Sequence, residues 1–283
     1  MTPLDRLLQA IADVPSAIVA YSGGVDSATV AAAAWRVLGD RMLAVVSASE
    51  SVSSAEFDNA RRVASEIGMP LRVIETREIE DPDYVRNDSD RCFYCKSTLY
   101  RDLASVSDEM GFAAIFNGTN VDDLGDHRPG LEAARRAGVR SPLLEAGLGK
   151  AEVRDIAREL GISAWDRPAT ACLASRLPFG MAVTRERLRQ VERAERLVAE
   201  LGFAGHRVRH HGDIGRLEVP EGFIDRAISM RSHISECLHE AGFRFAALDL
   251  DGYRQGSLNP VSAAAGADPV AGLEPAHPLP TLG

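Results

Sequence analysis

The sequence predicts an α/β fold: a doubly wound parallel sheet followed by a smaller α+β domain. Short apolar runs alternate with stretches of helical periodicity over the first 160 residues, at 16–20, 42–46, 71–74 and 113–116. Strands that are apolar on both faces and separated by helices are typical of a parallel sheet covered on both sides. After residue 180 the order becomes helix, two strands, helix and strand, which indicates a small antiparallel sheet with helices. We therefore expect one domain over 1–180 and a second over 181–258.

The helices are predicted from apolar residues at helical spacing and from residues that favour helix ends. The first, 4–12, carries its apolar residues on one face, and Ser54 is predicted to cap a helix over 54–67. Residues 81–90 and 166–176 are polar and irregular, which predicts loops. The other helices are predicted at 28–38, 97–110, 131–137, 150–160, 184–201 and 223–241, and the strands of the second sheet at 207–209, 216–219 and 245–250.

The composition predicts a cytoplasmic enzyme with neither a membrane nor a nucleic acid as partner. The 283 residues carry 32 Lys and Arg against 41 Asp and Glu, a net charge of −9. An acidic chain is a poor general ligand for nucleic acid, because phosphate neutralisation supplies most of that affinity. No apolar run approaches the length of a transmembrane helix, and the N-terminus lacks the pattern of a secretory signal. Beyond Asn259 the chain is rich in Ala, Gly and Pro, so 259–283 is expected to be a disordered tail.

A glycine-rich turn between the first strand and the next helix has the features of a phosphate cradle. Its residues 21–27 are Tyr-Ser-Gly-Gly-Val-Asp-Ser. A strand that breaks here and restarts as a helix leaves free backbone N–H groups at the helix N-terminus, where an anion is favoured. Gly23 and Gly24 lack a Cβ, so the main chain can approach a ligand, and Ser22 and Ser27 add hydroxyl donors.

The turn is not a Walker A loop, which places a Lys before its Ser or Thr. It resembles the PP-loop, SGGxDS, of ATP pyrophosphatases, which bind ATP and cleave it between the α- and β-phosphates. The resemblance implies that Asp26 lies near magnesium and pyrophosphate. Residues 47–49, after the second strand, are expected near the adenosine. The three carboxylates of 122–126 either supply oxygen ligands to Mg²⁺ or form a solvated acidic loop.

Cys92 and Cys95 form a CxxC pair, and Cys172 is a third cysteine far along the chain, which leaves three interpretations. A structural zinc site needs a fourth ligand, which would have to be Cys237 or a histidine, although Cys237 has the spacing of a helical core residue. A redox dithiol is expected at the start of a helix that follows a strand, whereas this pair follows a polar loop. Three thiolates that hold a 4Fe-4S cluster leave one iron open to an extra sulfide, and we favour this interpretation.

Five motifs of the chain carry a resemblance to a known family. They are SGGVDS, Arg91-Cys-Phe-Tyr-Cys-Lys96, Arg128-Pro-Gly130, Ala171-Cys-Leu-Ala-Ser-Arg176 and Leu248-Asp-Leu-Asp-Gly-Tyr-Arg254. Together they resemble the LarE family, over about residues 4–259. Its members are ATP-dependent pyridinium-3,5-biscarboxylic acid mononucleotide sulfurtransferases, which help to build the nickel-pincer nucleotide cofactor of lactate racemase.

The resemblance implies that ATP adenylates a substrate carboxylate with release of pyrophosphate, after which sulfur displaces AMP and a thiocarboxylate results. Some members sacrifice the sulfur of a single cysteine, and Cys172 lies in the corresponding loop. Others have a CxxC pair with a third cysteine and carry a 4Fe-4S cluster. Because this chain has all three cysteines, we expect the cluster, together with a separate sulfide donor and a homo-oligomer.

The resemblance also implies which residues bind each ligand. ATP and Mg²⁺ would be bound by Ser22, Gly23, Gly24, Asp26, Ser27, Asp126 and Arg128. The three site cysteines are the catalytic and cluster-binding residues, beside Lys96, which is placed to polarise the reacting carbonyl. The pyridinium mononucleotide would be bound by Ser175, Arg176, Arg207, Arg209 and Arg254. Two carboxylates, those of Glu195 and Glu218, match acidic positions of a metal or substrate site in the family.

The spacing of Arg207 and Arg209 supports a phosphate site independently. On a strand, residues two apart point the same way, and arginine is well suited to phosphate. An exposed strand face for these arginines and a surface helix for Glu195 remain the alternatives.

Other PP-loop enzymes are the competing hypotheses. The tRNA thiolases also pair a PP-loop with cluster cysteines, but the acidic charge and the C-terminal motifs argue against them. An amidating enzyme such as NAD synthetase needs no cysteine trio. A nucleotide-sensing regulator of the universal-stress class would not need the intact loop with Asp26.

Overall fold

Four parallel strands form the first sheet, as the sequence predicts. The structure, a computed structural model, describes residues 1–125, 129–168 and 170–254. The predicted tail 259–283, Asp126 and Arg128 lie outside the described residues. The sheet has the order β3-β2-β1-β4, and its strands are β1 (Ala17–Tyr21), β2 (Met42–Ser47), β3 (Leu71–Ile74) and β4 (Ala114–Phe116). Every neighbouring pair in this order is parallel.

Helices cover both faces of this sheet. They are α1 (Pro3–Ala12), α2 (Val25–Leu38), α3 (Ser54–Ile67), α4 (Pro82–Val85), α5 (Arg91–Met110), α6 (Pro129–Arg136), α7 (Pro142–Glu145) and α8 (Lys150–Glu159). Alternate residues of β1 face two cores: Val19 packs with α1, α2 and α8, whereas Ile18 packs with α5 and α6. This alternation follows from the strand period of two, and it confirms the doubly wound arrangement. No helix in the described part of the chain is both long and apolar enough to cross a bilayer.

The CxxC pair lies inside a helix, which the sequence analysis did not predict. Helix α5 begins at Arg91 and not at residue 97, and α4 occupies part of the predicted loop 81–90. The guanidinium of Arg136 on α6 lies 4.9 Å from the centre of the Phe93 ring. This packing between α5 and α6 supports the first turns of α5, and a local sequence pattern does not show it. Helix α3 also differs at its start, because Ser53 and not Ser54 is its N-cap.

A second, three-stranded sheet follows α9 (Arg185–Glu200). Its strands are β5 (Arg207–His211), β6 (Ile214–Glu218) and β7 (Phe245–Leu248), and the predicted helix 223–241 is divided into α10 (Ile224–Ser229) and α11 (Arg231–Glu240). Strand β5 is antiparallel to β6, but β7 is parallel to it, so the prediction of an antiparallel sheet was wrong for β7. A helical crossover returns the chain in the same direction, which explains the parallel pairing. This sheet has an apolar core of its own, while the domain boundary at residue 180 stays a prediction.

His210 on β5 should make the free energy of unfolding depend on pH. The side chain is buried, its Nδ1 accepts from the Gly212 N–H at 3.2 Å, and its Nε2 lies 3.0 Å from Gln190 Oε1. Burial, followed by repulsion from Arg187 and His211, lowers the pKa of His210 from 6.5 to about 4. Between these values the unfolded chain binds a proton that the folded chain does not, so stability should fall as the pH drops through this window. We expect a loss of roughly 2–3 kcal/mol.

Urea unfolding at several pH values between about 7 and 4 measures this effect. In a His210→Gln variant, the free energy of unfolding should fall by roughly 2–3 kcal/mol less over this pH range than it does in the parent. A parent and variant with equal pH slopes would show that His210 does not contribute.

Candidate active site

The glycine-rich turn is held closed by its two serines. Ser22 Oγ lies 3.0 Å from Ser27 Oγ, which also accepts from the Ser22 N–H at 3.1 Å. Gly24 is the N-cap residue of α2 and provides no side chain to accept from the helix. The first N–H groups of α2 therefore remain available at the carboxyl end of β1, which is the arrangement that favours a phosphate.

Two glycines allow other segments to approach this turn closely. Gly23 has a φ of +76°, and a Cβ there would lie 2.6 Å from Ala60 Cα on α3. Gly118 follows β4, and a Cβ there would lie 2.7 Å from the backbone nitrogen of Ser27. Both contacts are with backbone atoms, so a larger residue at either position would displace the turn. The cradle is thus fixed between α3 and the end of β4.

Two residues that the sequence analysis missed bind Asp26. Lys150, the first residue of α8, forms an ion pair with the Asp26 carboxylate, and Asn120 Nδ2 donates to Asp26 Oδ1 at 3.1 Å. The backbone N–H of Lys150 also donates to Asp122 Oδ2 at 2.6 Å. One cation, one amide and two carboxylates therefore meet beside the phosphate cradle. Oxygen ligands next to a phosphate site are what Mg²⁺ requires, and an ammonium group complements the phosphates themselves.

Lysine usage is the sequence signal that points to Lys150. Of the 32 basic residues only two are lysines, Lys96 and Lys150, and both lie at the candidate site. An ammonium group is a compact cation on a flexible stem, whereas a guanidinium is planar and suits bidentate pairing. In a chain that otherwise uses arginine, these two positions stand out.

The three site cysteines lie within electrostatic reach of one another. Cys92 and Cys95 lie in the first turns of α5, and Cys172 precedes the short 3-10 helix Leu173–Arg176. Burial raises the pKa of Cys95 to about 12, and although Lys96 acts in the opposite direction, Cys172 and Cys92 add to the increase. The topology therefore brings together two cysteine segments that are far apart in sequence.

Lys96 lies beside these thiols and carries a positive charge. Desolvation lowers its pKa, but Tyr100 and the three thiols raise it, and the balance is above the ordinary lysine value. The Lys96 side chain is exposed, and a positive charge beside three thiols can stabilise thiolates or the oxygen of a polarised carbonyl.

The donor chemistry of the cysteine site fits a thiolate-bound iron–sulfur group. Cys92 and Cys172 are exposed and Cys95 is half-buried, so two of the three thiols are accessible. Within residues 1–125, 129–168 and 170–254, no three His, Cys, Asp or Glu side chains stand close enough together to hold a metal ion. Their chemistry suits such a group, but these three thiols do not form a preformed metal site.

Hydrogen bonds attach the loop that carries Cys172 to the same edge of the first sheet. The Leu173 N–H donates to the carbonyl of Ser51, in the segment after β2, at 2.8 Å. The Cys172 carbonyl accepts from Ser175 Oγ at 2.7 Å and from Arg176 Nη1 at 3.0 Å. The third thiol is thus presented at the edge of the sheet that also carries the phosphate cradle.

Arg176 is buried, 2% exposed, and its donors are engaged within the protein. Its Nε and Nη2 donate to the two oxygens of Glu195 at 2.9 and 3.0 Å, and its Nη1 donates to the Ala171 carbonyl at 2.6 Å. Glu195 Oε1 also accepts from the Val208 N–H at 3.0 Å. This pair connects the Cys172 loop with α9 and β5.

Arg209 forms a second buried pair beside the same loop. It contacts Glu218, which is fully buried, at 2.7 Å and donates from Nη1 to the Ser175 carbonyl at 3.0 Å. Glu218 is also 3.1 Å from Arg216. Both carboxylates predicted for a metal or substrate site are therefore paired with arginines.

Arg207 and Arg254 differ in their surroundings. Arg207 is half-buried, and its guanidinium lies 5.2 Å from the centre of the Tyr253 ring. Burial lowers the pKa of Arg207, and repulsion from nearby Arg176 lowers it further, while Glu195 acts in the opposite direction. Arg254 is exposed and pairs with Asp251 at 2.8 Å.

A cavity of about 320 Å³ opens beside the segment after β2 that is predicted to meet the adenosine. Within that segment, Ser47 Oγ lies 2.5 Å from Thr76 Oγ1, whereas Ala48 and Ser49 line the cavity. Its other walls come from the same loop, α3 and α9: Glu50, Val52, Ser54, Phe57, Arg189 and Glu192. An aromatic ring, hydroxyl groups and charged groups together suit a polar aromatic ligand such as a nucleobase.

Comparisons with known proteins agree with this architecture. The family model described as NAD synthase matches residues 6–88, which run from α1 through the cradle to the residues after α4. The chain is 38% identical to the pyridinium-3,5-bisthiocarboxylic acid mononucleotide synthase of Lactiplantibacillus plantarum, over 89% of this chain and 92% of that protein. It is 39% identical to an uncharacterized protein of Synechocystis sp., over 91% of this chain and 97% of that protein. One subunit of the glutamine-hydrolyzing GMP synthase of Sulfurisphaera tokodaii is 27% identical over 52% of this chain and 43% of its own length.

The family model and the relatives differ in how much of the chain they match. The NAD synthase model covers residues 6–88, which include β1, β2 and β3. The alignment with the Lactiplantibacillus plantarum synthase covers 254 of the 283 residues, so it extends through most of the first sheet and the three site cysteines into the second sheet. This chain therefore belongs to the LarE family of PP-loop enzymes.

Proposed function

We propose that this protein uses ATP to transfer sulfur to the carboxylates of pyridinium-3,5-biscarboxylic acid mononucleotide, in the synthesis of the nickel-pincer nucleotide cofactor of lactate racemase. The observation that carries the proposal is the 2.8 Å hydrogen bond from the Leu173 N–H to the Ser51 carbonyl. It holds the Cys172 loop at the carboxyl edge of the sheet that bears the phosphate cradle. A thiol site and an ATP site at one edge suit an enzyme that activates a carboxylate and then thiolates it.

In the first step, a substrate carboxylate oxygen attacks the α-phosphorus of ATP, and the bond to the bridging oxygen of the β-phosphate breaks. The turn from Ser22 to Ser27 binds the pyrophosphate that leaves. Asp26 would hold a magnesium ion, which would neutralise charge on the phosphates, and Lys150, which is paired with Asp26 in this structure, would supply a second positive charge to them. Asp126 and Arg128, which lie outside the described residues, are further ATP-binding residues in this proposal.

In the second step, a nucleophile with sulfur at the oxidation level of sulfide attacks the acyl carbon, and the bond from that carbon to the AMP oxygen breaks, so that AMP leaves. The bond between the sulfur and the group that delivered it then breaks, which releases the thiocarboxylate. Lys96 stabilises the negative charge that develops on the carbonyl oxygen. The phosphate of the mononucleotide lies against Arg207, with Arg209 and Arg254 at the same end. Ser175 and Arg176 hold the Cys172 loop against this substrate region.

Cys92, Cys95 and Cys172 would hold a 4Fe-4S cluster. When bound, such a cluster would supply sulfur that a separate sulfide donor delivers to it. The alternative is that Cys172 gives up its own sulfur. Cytoplasmic location and a homo-oligomeric assembly are further parts of the proposal, as is the absence of a nucleic-acid substrate.

Anaerobically purified protein should be brown and contain about four iron and about four sulfide per chain. Three thiolates and one open position account for a single cluster of this type. Iron and acid-labile sulfide analysis, combined with electron paramagnetic resonance of the reduced protein, measures it.

A colourless protein with stoichiometric zinc would contradict the cluster. A colourless, metal-free protein whose Cys172 becomes dehydroalanine after one turnover, seen by peptide mass spectrometry, would replace the cluster with the sacrificial mechanism. The matched control is Cys237→Ser, which removes a thiol that packs against the core of the second sheet and should retain all iron.

A further inference from the structure

The segment that carries Cys172 is bound to residues just before the CxxC pair. The Gly180 N–H donates to the Asn87 carbonyl at 3.0 Å. Asn87 Nδ2 donates in turn to the Pro178 carbonyl at 2.8 Å and to the Met181 carbonyl at 2.9 Å. Asn87 is fully buried, and its φ of +60° lies in the left-handed region. A buried asparagine in a strained conformation thus connects the two cysteine segments.

Arg91 makes a second connection, from inside α5. It is 7% exposed and immediately precedes Cys92. Its Nη1 donates to the Ala174 carbonyl at 2.9 Å and to Asn87 Oδ1. Both acceptors are neutral oxygens, so the guanidinium acts here as a hydrogen-bond bridge. It joins a point one residue before the first thiol to a point two residues after Cys172.

We propose that Arg91 is a positioning residue, which together with Asn87 holds the Cys172 segment against α5 so that the third thiol stays within reach of Cys92 and Cys95. The inference rests on the proposed function, in which the three thiols act together. It adds a role for two residues that the proposed mechanism assigns neither to ATP nor to the substrate. Partners that orient ligand residues in this way affect metal affinity by about 10–100-fold in other proteins.

Cadmium alone tests the proposal without any turnover, because thiolate–cadmium charge-transfer absorption in the ultraviolet reports coordination by cysteine. The parent is the cluster-free protein with Cys237→Ser, so that only the three site thiols contribute. Cys172→Ser in this background defines the affinity of the CxxC pair alone. Arg91→Gln should bind cadmium about 10–100-fold more weakly than the parent, as weakly as Cys172→Ser.

A second variant and a matched control accompany this test. Asn87→Gly removes the side-chain bonds from the other side, and glycine tolerates the φ of +60°, so it should weaken binding to the same extent. Arg86→Gln removes a nearby but exposed arginine that pairs with Asp83 and Asp88, and it should bind cadmium as the parent does. ATP binding should be unchanged in all of them, since the cradle lies on other segments.

Each possible result either supports or contradicts the role proposed for Arg91. Arg91→Gln with the affinity of the parent would overturn it and leave the proposed function intact. A parent that binds cadmium no more tightly than Cys172→Ser would overturn the joint action of the three thiols, and with it this inference and the proposed cluster, but not ATP-dependent sulfur transfer from Cys172 itself. If Arg91→Gln fails to bind ATP and is therefore misfolded, Asn87→Gly decides by the same criterion.

Discussion

Replacing Cys172 with serine should abolish formation of the thiocarboxylate while ATP-dependent release of pyrophosphate survives in a single turnover. The Cys172 side chain is exposed, and it is the backbone carbonyl of this residue that accepts from Ser175 and Arg176. Serine therefore preserves the loop and removes only the sulfur atom. Because a hydroxyl group neither holds iron nor donates sulfur, both versions of the proposed mechanism predict complete loss of the product.

Mass spectrometry of the pyridinium product and a coupled pyrophosphate assay separate the two steps. Cys237→Ser provides the matched control and should form product at the parent rate. If pyrophosphate release falls as far as thiolation does, Cys172 acts before the sulfur step and the proposed division of roles is wrong.

Lys150→Ala should reduce ATP-dependent pyrophosphate release by about 10²–10³-fold, which is the usual effect of removing one charged group that stabilises a transition state. The ammonium group forms an ion pair with Asp26 beside the phosphate cradle. Without it, the developing charge on pyrophosphate loses an adjacent cation, and Asp26 loses its ion-pair partner. Lys150→Arg should retain part of the rate, because it keeps the charge with a different shape.

Arg158→Ala is the control on the same helix, since Arg158 is exposed and stacks on Trp165 away from the cradle. The small number of lysines allows a direct check of contact: an amine-directed reagent can modify only Lys96, Lys150 and the N-terminus. ATP with magnesium should protect Lys150 from this reagent. Full reactivity of Lys150 under saturating ATP, or an unchanged rate in Lys150→Ala, would exclude it from the phosphate site.

The sequence predicted the strands of the first sheet more completely than those of the second. Strands β1 to β4 were predicted because each is a short, mostly apolar run, as expected in a covered parallel sheet. Strand β3, at the edge of the sheet, includes Arg72 and leaves Val73 exposed, so this pattern is weakest there. Strand β7 was predicted as a strand but with the wrong direction. Its direction depends on how α10 and α11 return the chain to the sheet, and the apolar pattern of a strand does not contain this information.

The start of α5 likewise could not be predicted from the local sequence. The polar residues before the CxxC pair predict a loop, but Phe93 packs under Arg136 and Arg91 bonds to Ala174. These contacts cross 43 and 83 residues of chain, so tertiary packing decides the local structure of the cysteine site.

By itself, the sequence determined the chemistry that contiguous residues carry. The serines and glycines from Ser22 to Ser27 specify a phosphate cradle, because a strand–turn–helix of this composition exposes its own N–H groups. Likewise, Cys92 and Cys95 form a thiol pair through their spacing alone. Only the tertiary structure decided that Lys150 pairs with Asp26, that Arg176 and Arg209 are bound to Glu195 and Glu218, and that Arg91 reaches the Cys172 segment. Those contacts join different elements, and their partners follow from the packing of helices and sheets, which no local pattern encodes.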